Sequence, residues 1–459
     1  MFRAIRHRWH SRNGYKEVLL LAFPLIVTTC SGSVQSFIDR LFLSNLDSNA
    51  LAATVPAAMI FFSVVALFLG TAGYVSVFVA QNFGAGDERK IGASVWQGFY
   101  IVGPSLLMVI LGFVYVEPIF RFIGHDRAIQ LIEVEYTRVL ILSAPIMIIS
   151  ACLTGFFSGI GRTPVIMWST LLVTLLNVIL DYVLIFGNWG LPAMGVSGAA
   201  WATFISLSVG ITVQLLIFFS EKYRRRFATH CHWRLDVSLF NRLLRFGLPL
   251  GVQAQVSGLA ATIFVLLIGR IGVAELTAHS IATNIFMLAV MPVGGLTIAV
   301  SVLVGQRLGA SDPEGAERVT YSAMHLAAVV FTVAGLMLVV KPDWFIALFS
   351  QGMSASTYAA TVPLVHYLLR MLAVICLFRA VSGMISGALT GAGDTRFIAG
   401  VGIAVSWLVL VLPTVLINYF WGGHLLWSWG FFLLNGFLMC IVCWWRFKTA
   451  RWKSIRVAV

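Results

Sequence analysis

The stretch LLVTLLNVILDYVLIFG, residues 171–187, is apolar enough to cross a lipid bilayer, yet it contains Asn177 and Asp181. An ionised carboxylate at the centre of a membrane-spanning helix costs about 3 kcal/mol on insertion scales. An acid in such a place is expected to pair with another group, to bind a proton or to take part in the protein's function. The stretch therefore predicts a chain that spans a membrane and a polar site within that membrane.

The composition of the whole chain is that of an integral membrane protein. Of its 459 residues, 59% are hydrophobic and 11% are charged, whereas soluble domains carry roughly 25% charged residues. The net charge of +13 does not indicate a nucleic-acid partner, because the basic residues cluster in alternate loops. No nucleophile–His–acid arrangement, metal-ligand cluster or phosphate-binding motif stands out. The sequence predicts neither an enzyme nor a cofactor.

Twelve segments are long enough to span a bilayer, which takes about 20 apolar residues in a helix. Most of the 31 basic residues lie in the two terminal tails and in the loops after even-numbered segments. Because basic loops stay cytoplasmic, both termini are predicted to be cytoplasmic, in the plasma (inner) membrane. The predicted spans are 17–44, 51–83, 92–116, 128–158, 164–186, 195–219, 239–269, 274–308, 317–340, 357–389, 396–419 and 425–447.

The second half of the sequence repeats the first. LLLAFPL at 19–25 resembles LLRFGLPL at 243–250, and AQNFGAGDERK at 80–90 resembles VGQRLGASDPE at 304–314. The same offset aligns Pro24 with Pro249 and Gly84 with Gly309. SGIGRTP at 158–164 resembles TGAGDTR at 390–396 with a slightly larger offset. Because six helices separate the copies and six is even, both copies have the same orientation in the membrane.

The predicted fold is an all-α integral membrane protein, with twelve transmembrane helices in two pseudo-symmetric six-helix bundles related as a parallel repeat. Two lobes with a cleft between them are typical of a transporter. The expected partners are small amphipathic molecules and membrane lipids, with no nucleic acid, and the expected state is a monomer. The predicted segments are a basic cytoplasmic tail (1–16), an N-lobe (17–220), a cytoplasmic linker (221–238), a C-lobe (239–447) and a cytoplasmic tail (448–459).

Four polar residues of the predicted N-lobe are expected in one layer. Asp39 lies late in helix 1, Asn177 and Asp181 lie one turn apart on helix 5, and Thr203 lies near the start of helix 6. Two acids close together in a low dielectric cannot both ionise cheaply, so the layer suits a shared proton or a Na⁺ ion. The alternatives are structural: a hydrogen bond to a neighbouring helix for Asp181, and an interfacial ion pair with Arg40 for Asp39.

The second half lacks this acid pair. The offsets map Asp39 to Phe264 and Asp181 to Pro413, and the second half instead has Arg379 well inside helix 10. An arginine within a membrane span should face a cleft or pair with another group, although a tie to helix-end carbonyls is the alternative. The residues predicted to line a polar substrate cleft are Gln253, Gln255, Ser257 and Arg379.

Taken in order, these motifs resemble those of the multidrug and toxic compound extrusion (MATE) family, over nearly the whole chain. The motifs are AFPL in helix 1, an acid late in that helix, AQNFGAGDERK, GIGRTP, NVILDYVLIFG, GVSGAAWATF, VGQRLGA and GAGDTR. The resemblance implies a V-shaped two-lobe protein that exports amphipathic, often cationic compounds in exchange for H⁺ or Na⁺. No cofactor is implied beyond this coupling ion.

The sequence is most similar to the DinF-like branch of the family, whose coupling site lies in the N-lobe. The NorM-like branch also uses carboxylates of helices 7 and 10, where this chain has Ser257 and Arg379, so that site is missing. The resemblance implies no resident metal; a Na⁺ ion, where it is the coupling ion, is expected at Asp39, Asn177 and Asp181. The coupling residues implied by the resemblance are Asp39, Asn177, Asp181 and Thr203.

Two other functions remain open from the sequence. The first is a flippase for a lipid or a lipid-linked saccharide of the same superfamily, which more often has fourteen spans and a more cationic cleft. The second is a membrane receptor or scaffold that does not transport. Counting the spans distinguishes a flippase from a drug antiporter. Substrate-driven ion flux in liposomes distinguishes a transporter from a receptor or scaffold.

Overall fold

The computed structural model describes residues 9, 14–46, 48–347, 355–455 and 457, and this part of the chain contains no strand. Twelve of its helices are long and apolar enough to cross a membrane. The chain is therefore an all-α, multi-pass membrane protein, as predicted. The basic tail predicted at 1–16 lies mostly outside the described residues.

Every predicted span corresponds to a helix, and several helices extend beyond the predicted limits, as expected for spans that tilt or project into water. Shorter helices lie at Glu221–Phe227, Pro342–Ala347 and Arg451–Ser454. The twelve long helices are α1 (Tyr15–Leu46), α2 (Ser48–Gly73 and Val75–Ala85), α3 (Glu88–Phe99 and Val102–Ile123), α4 (Arg127–Ile141 and Ser143–Gly159), α5 (Thr163–Phe186), α6 (Gly195–Phe218), α7 (Val237–Gly269), α8 (Val273–Gly309), α9 (Pro313–Val340), α10 (Ala355–Ala392), α11 (Thr395–Val405, Ser406–Val411 and Leu412–Trp421) and α12 (Leu425–Lys448).

The chain divides into two compact units. The N-unit contains Val27–Gly251 with Val457–Val459, and the C-unit contains Met1–Ile26 with Val252–Arg456. The boundaries fall inside α1 and α7, shortly after Pro24 and Pro249, so each of these helices begins in one unit and ends in the other. The lobes predicted at 17–220 and 239–447, with their linker and tails, stay a prediction.

The sequence repeat corresponds to equivalent helix crossings within each unit. In the N-unit, a Cβ added to Gly70 of α2 would lie 2.7 Å from the Cα of Gly251 on α7. In the C-unit, a Cβ added to Gly295 of α8 would lie 2.5 Å from the backbone nitrogen of Ile26 on α1. The offset that aligns Pro24 with Pro249 also aligns Gly70 with Gly295 and Ile26 with Gly251. Both crossings need glycine because the backbones touch, and the duplication therefore extends to the packing of the helices.

The segment that links α6 to α7 is fixed to the start of α3 in the N-unit. The indole nitrogen of Trp96 donates to the carbonyl of Thr229 at 2.9 Å, and the hydroxyl of Tyr100 donates to the carbonyl of Trp233 at 2.5 Å. Arg226 forms an ion pair with Glu88 at 2.6 Å. These contacts explain why a basic, polar segment between two spans has a defined course.

Candidate ion-coupling site

Helix α5 carries two polar side chains on its buried face. It begins with Pro164 in its first turn and ends at Gly187, which has the left-handed backbone (φ 72°) that suits glycine. Side chains spaced three or four residues apart lie on one face of a helix. The side chains of Asn177 and Asp181 are both 0% exposed. The buried stripe of α5 comprises Ile166, Ser169, Val173, Asn177 and Asp181.

Helix α6 packs closely against α5 on both sides of this polar pair. A Cβ added to Gly198 would lie 2.7 Å from the carbonyl oxygen of Leu184, and one added to Gly210 would clash with the side chain of Val173. Small residues let helices in a membrane approach closely. The amide of Gln214 also donates to the hydroxyl of Ser169 at 2.7 Å. Helix α6 therefore contacts α5 directly on both sides of the layer that holds Asn177 and Asp181.

Asp39 of α1 meets the two polar residues of α5. The carboxyl groups of Asp39 and Asp181 lie within hydrogen-bonding distance of each other. With its amide nitrogen facing the acids, Asn177 donates to Oδ1 of Asp39 at 3.0 Å and to Oδ2 of Asp181 at 3.3 Å. The structure thus brings together three of the four predicted coupling residues, from two helices.

The arrangement suits the binding of a cation. Two carboxylates this close repel each other, and a hydrogen bond between them requires that one carries a proton, because an ionised carboxylate only accepts. The remaining oxygen of Asp181, Oδ1, is buried and has no hydrogen-bond partner. A buried and unsatisfied oxygen beside a second acid is a place where a proton, or a small cation bound by oxygens, lowers the energy of the site.

Two residues at the site are absent from the sequence-based prediction. The amide of Gln35 lies 3.1 Å from that of Asn177. Tyr136 of α4 lies within electrostatic range of both Asp39 and Asp181 and packs against the apolar clusters beside them. Gln35 precedes Asp39 by one helical turn, so the spacing could have identified it. Nothing in the spacing links α4 to the acids, and the tyrosine is found only from the packing.

Thr203 is not joined to the acid pair by a hydrogen bond. Its hydroxyl group donates to the carbonyl of Ala199 in the preceding turn of α6, at 3.1 Å. This is the usual bond of a threonine inside a helix. Its coupling role stays a prediction.

The residues predicted for a substrate cleft lie in the C-unit, and no hydrogen bond joins any two of these four described residues. The amide of Gln253 packs against Gly402 of α11, and Oε1 of Gln255 is buried without a hydrogen-bond partner. Ser257 and Arg379 are partly buried. The substrate cleft therefore stays a prediction. Arg379 is a cation within a membrane span that has no acidic partner among the described residues.

The position equivalent to Asp39 in the C-unit lies in an aromatic cluster. The ring of Phe264 packs edge-on against His279 with centroids 5.6 Å apart, and His279 packs against Trp429 at 5.8 Å. Phe432 lies 5.6 Å from Trp429. The Nδ1 atom of His279 and the Nε1 atom of Trp429 are buried without hydrogen-bond partners. The ring of His279 thus packs among aromatic side chains.

Twelve membrane-spanning helices in a parallel repeat, with a polar site buried in one half, define a polytopic membrane protein of the transporter class. The MatE family model matches residues 24–183 and 249–416. The two matched blocks begin at equivalent positions of the repeat, Pro24 and Pro249, and together cover most of the chain. The chain belongs to the MATE family, a family of transporters and not of enzymes.

A curated relative and two solved structures are similar to most of the chain. A probable multidrug resistance protein NorM of Burkholderia mallei is 31% identical over 383 residues, which cover 82% of this chain and 80% of that protein. A crystal structure of MATE in complex with MaL6 has a TM-score of 0.86 and 21% identity, and covers 97% of this chain and 98% of its own. An outward-facing multidrug resistance MATE family transporter has a TM-score of 0.85 at 21% identity, with 98% of both chains covered. At these identities the structures show the fold alone, and the DinF-like assignment stays a prediction.

Proposed function

We propose that this chain is a secondary antiporter that exports amphipathic, cationic compounds in exchange for protons. The observation that carries the proposal is the contact between the carboxyl groups of Asp39 and Asp181 beside the fully buried amide of Asn177. The multidrug resistance named for the Burkholderia mallei relative supports the class of substrate.

Protonation changes the hydrogen bonds of this layer. When both acids are ionised they repel each other, and Asn177 is the amide that can donate to either. When one acid is protonated, it donates to the other and the repulsion is removed. The bound proton therefore favours a closer approach of α1 to α5.

Helix α1 extends from one unit into the other, so a change at the acid pair can be transmitted along it. Asp39 lies in the part of α1 that belongs to the N-unit, whereas Tyr15–Ile26 of the same helix belongs to the C-unit. A shift of α1 at the acid pair is transmitted along a continuous helix to residues that pack in the other unit. Protonation and substrate binding are thus linked through one element, as alternating access requires.

The test is transport by the full chain in liposomes. Liposomes with an acidic lumen should accumulate ethidium, an aromatic cation, as protons leave. Asp39→Asn and Asp181→Asn, which keep the size of each side chain and remove its charge, should abolish this accumulation. Asp87→Asn is the matched control, because Asp87 is exposed and pairs with Lys90 in a short turn. Uptake at the wild-type rate by both site variants would exclude the coupling role.

A separate measurement in the same liposomes identifies the coupling ion. With no pH gradient, liposomes loaded with Na⁺ should accumulate no ethidium if the proton is the coupling ion. Uptake driven by Na⁺ alone, lost in Asp181→Asn, would replace the proton by Na⁺ at the same residues.

A second substrate class is favoured by Arg379. It lies inside α10 with no acidic partner among the described residues, and an arginine within a membrane span is costly unless something neutralises it. An anionic amphiphile supplies that charge. Uptake of carboxyfluorescein by the wild type, lost in Arg379→Gln, would assign anionic substrates; its absence, with ethidium transported, leaves the cationic class.

The proposed orientation has both termini in the cytoplasm of a plasma (inner) membrane, from the distribution of basic residues. Cys231 in the α6–α7 segment is partly exposed and offers a direct test. A maleimide that does not cross membranes should label it in inverted vesicles and not in intact cells. Labelling in intact cells would reverse the orientation.

A further inference from the structure

A buried acid near the start of α4 is not explained by the coupling site. The side chain of Glu133 is 0% exposed, and its Oε1 lies 2.8 Å from Nδ1 of His125. His125 lies in the turn between α3 and α4, and its side chain is 38% exposed. The second oxygen of Glu133, Oε2, is buried and has no hydrogen-bond partner. One end of this pair is thus in contact with solvent and the other end points into the protein.

The unsatisfied oxygen is followed by polar groups on the same face of α4. Tyr136 and Thr137 follow Glu133 by three and four residues, so all three side chains lie along one side of the helix. The hydroxyl of Thr137 is buried and also lacks a partner. Tyr136 lies within electrostatic range of Asp39 and Asp181.

Three buried oxygens of this region have no partner: Glu133 Oε2 and Thr137 Oγ1 on α4, and Asp181 Oδ1 in the acid pair. Buried polar atoms in native proteins almost always have a partner, and ordered water supplies it where no protein group does. Bound water that pairs with these oxygens would connect them along α4.

The surroundings of this connection are apolar. Val134 packs with Ala57 of α2 and with Val116 and Phe120 of α3, and Tyr136 packs against this cluster. A second cluster, from α1, α2, α5 and α6, packs against Tyr136 and contains Leu43, Ala50, Ile185, Val196 and Ala199.

The titratable and charged groups near the connection are few. Arg40 lies beside Asp39 and acts on it electrostatically. Glu117 of α3 is paired with Arg121 and Arg138, at 3.1 Å and 3.5 Å, and lines a groove of about 850 Å³ that also includes Glu135. The groups that the connection itself contains are His125, Glu133, Tyr136, Asp39 and Asp181.

We infer that His125 and Glu133 form an entry site for protons, from which the proton passes along α4 to Asp39 and Asp181. The inference depends on the proton coupling proposed above, and in the proposed orientation the α3–α4 turn faces the outside. His125 takes a proton from water, the Nδ1 proton transfers to Glu133, and Glu133 releases a proton through bound water to Asp181. Each N–H or O–H bond that breaks is replaced by one that forms, and no electrons are exchanged.

The test compares Glu133→Gln with Glu135→Gln. Both remove one carboxylate from the same helix, but Glu135 is exposed and points into the separate groove. In liposomes with a pH gradient, Glu133→Gln should transport ethidium about tenfold more slowly, because a positioned proton carrier typically contributes a factor of this size or more. Glu135→Gln should transport at the wild-type rate. Formate, a small acid that can replace the lost carboxyl group, should restore part of the rate in Glu133→Gln.

A second measurement separates proton delivery from structure. Exchange of labelled for unlabelled substrate at equal pH needs no net proton movement, so Glu133→Gln should leave its rate unchanged. Equal rates of proton-driven uptake in Glu133→Gln and the wild type, or a parallel loss of exchange that formate does not restore, would overturn the inference.

Variants at His125 and at the acid pair make the outcome decisive. If Glu133→Gln does not fold, His125→Gln at the exposed end should slow proton-driven uptake and not exchange, and a wild-type rate there overturns the inference. If Asp39→Asn and Asp181→Asn transport normally, the proposed function itself fails. If they are inactive while Glu133→Gln is normal, only the entry site fails.

Discussion

In the N-unit, Asp39 meets Asp181 beside the amide of Asn177, and all three lie among apolar helices. The repeat places Phe264 and Pro413 at the positions of the two acids in the C-unit. The two copies share helix order, and in each copy a glycine of the second helix contacts the first helix of the other copy. Yet one copy has a layer of acids and the other has an aromatic layer. The backbone arrangement does not therefore require the acids, and their presence in one copy points to a role beyond packing.

Helix α11 shows how the second copy accommodates this difference. Pro413 has no N–H to donate, and the turn before it, Ser406–Val411, is widened to the π type. The indole of Trp407 donates to the carbonyl of Val256 on α7 at 3.2 Å, which fixes the widened turn. Its counterpart α5 is a regular helix from Thr163 to Phe186. The first copy places two polar groups on a regular helix, whereas the second interrupts that helix.

The largest effect is expected from moving the acid to the second copy. Phe264→Asp should destabilise the protein by more than about 4 kcal/mol, because it removes a buried ring and leaves a carboxyl group among aromatic residues. The measurement is thermal unfolding of the purified chain in detergent. Phe264→Leu is the control and should cost much less. An aspartate variant as stable as the control would mean that the C-unit layer is already polar.

A smaller effect, on transport and not on folding, is expected when the first copy is made like the second. Asn177→Val installs the residue found at the equivalent position of the second copy, Val409. Asp39 and Asp181 then lose their shared donor, and proton-driven uptake should fall at least about tenfold, as expected when a buried polar network is left partly satisfied. Val409→Leu is the control and should transport normally. Wild-type uptake by Asn177→Val would show that the amide does not support the acids.

The number of spans and the repeat follow from the sequence, because long apolar runs and motifs at a constant offset are local properties. The acid pair was predictable for the same reason: charged residues inside apolar runs are few, and their depths follow from counting residues. Tyr136 and Glu133 were not predictable in this way. Both lie on α4, and their importance depends on which face of that helix is buried and on which neighbours it meets.

The division of α1 and α7 between the units was also out of reach of the sequence. Pro24 and Pro249 mark the right region, but a proline within a helix does not tell which helices the two parts contact. The sequence likewise placed Thr203 in the acid layer by depth alone. The structure shows a hydroxyl bonded within its own helix, because depth does not fix where a side chain points.

The smallest expected effect tests whether the aromatic layer of the C-unit is dry. Trp429 and Trp452 are both fully buried, but the indole of Trp452 donates to the carbonyl of Phe447 at 2.9 Å, whereas that of Trp429 has no partner. The substitutions Trp429→Phe and Trp452→Phe remove the same atoms, so the difference between them isolates the hydrogen bond.

Trp452→Phe should lower the free energy of unfolding by about 1 kcal/mol more than Trp429→Phe, the usual net value of one such bond. Thermal unfolding of both variants in the same detergent measures the difference. Equal losses would mean that water pairs with the N–H of Trp429 and, beside it, with Nδ1 of His279. The second copy would then also keep a polar ligand at the level where the first keeps its acids, and the contrast between the two layers would be one of charge and not of hydration.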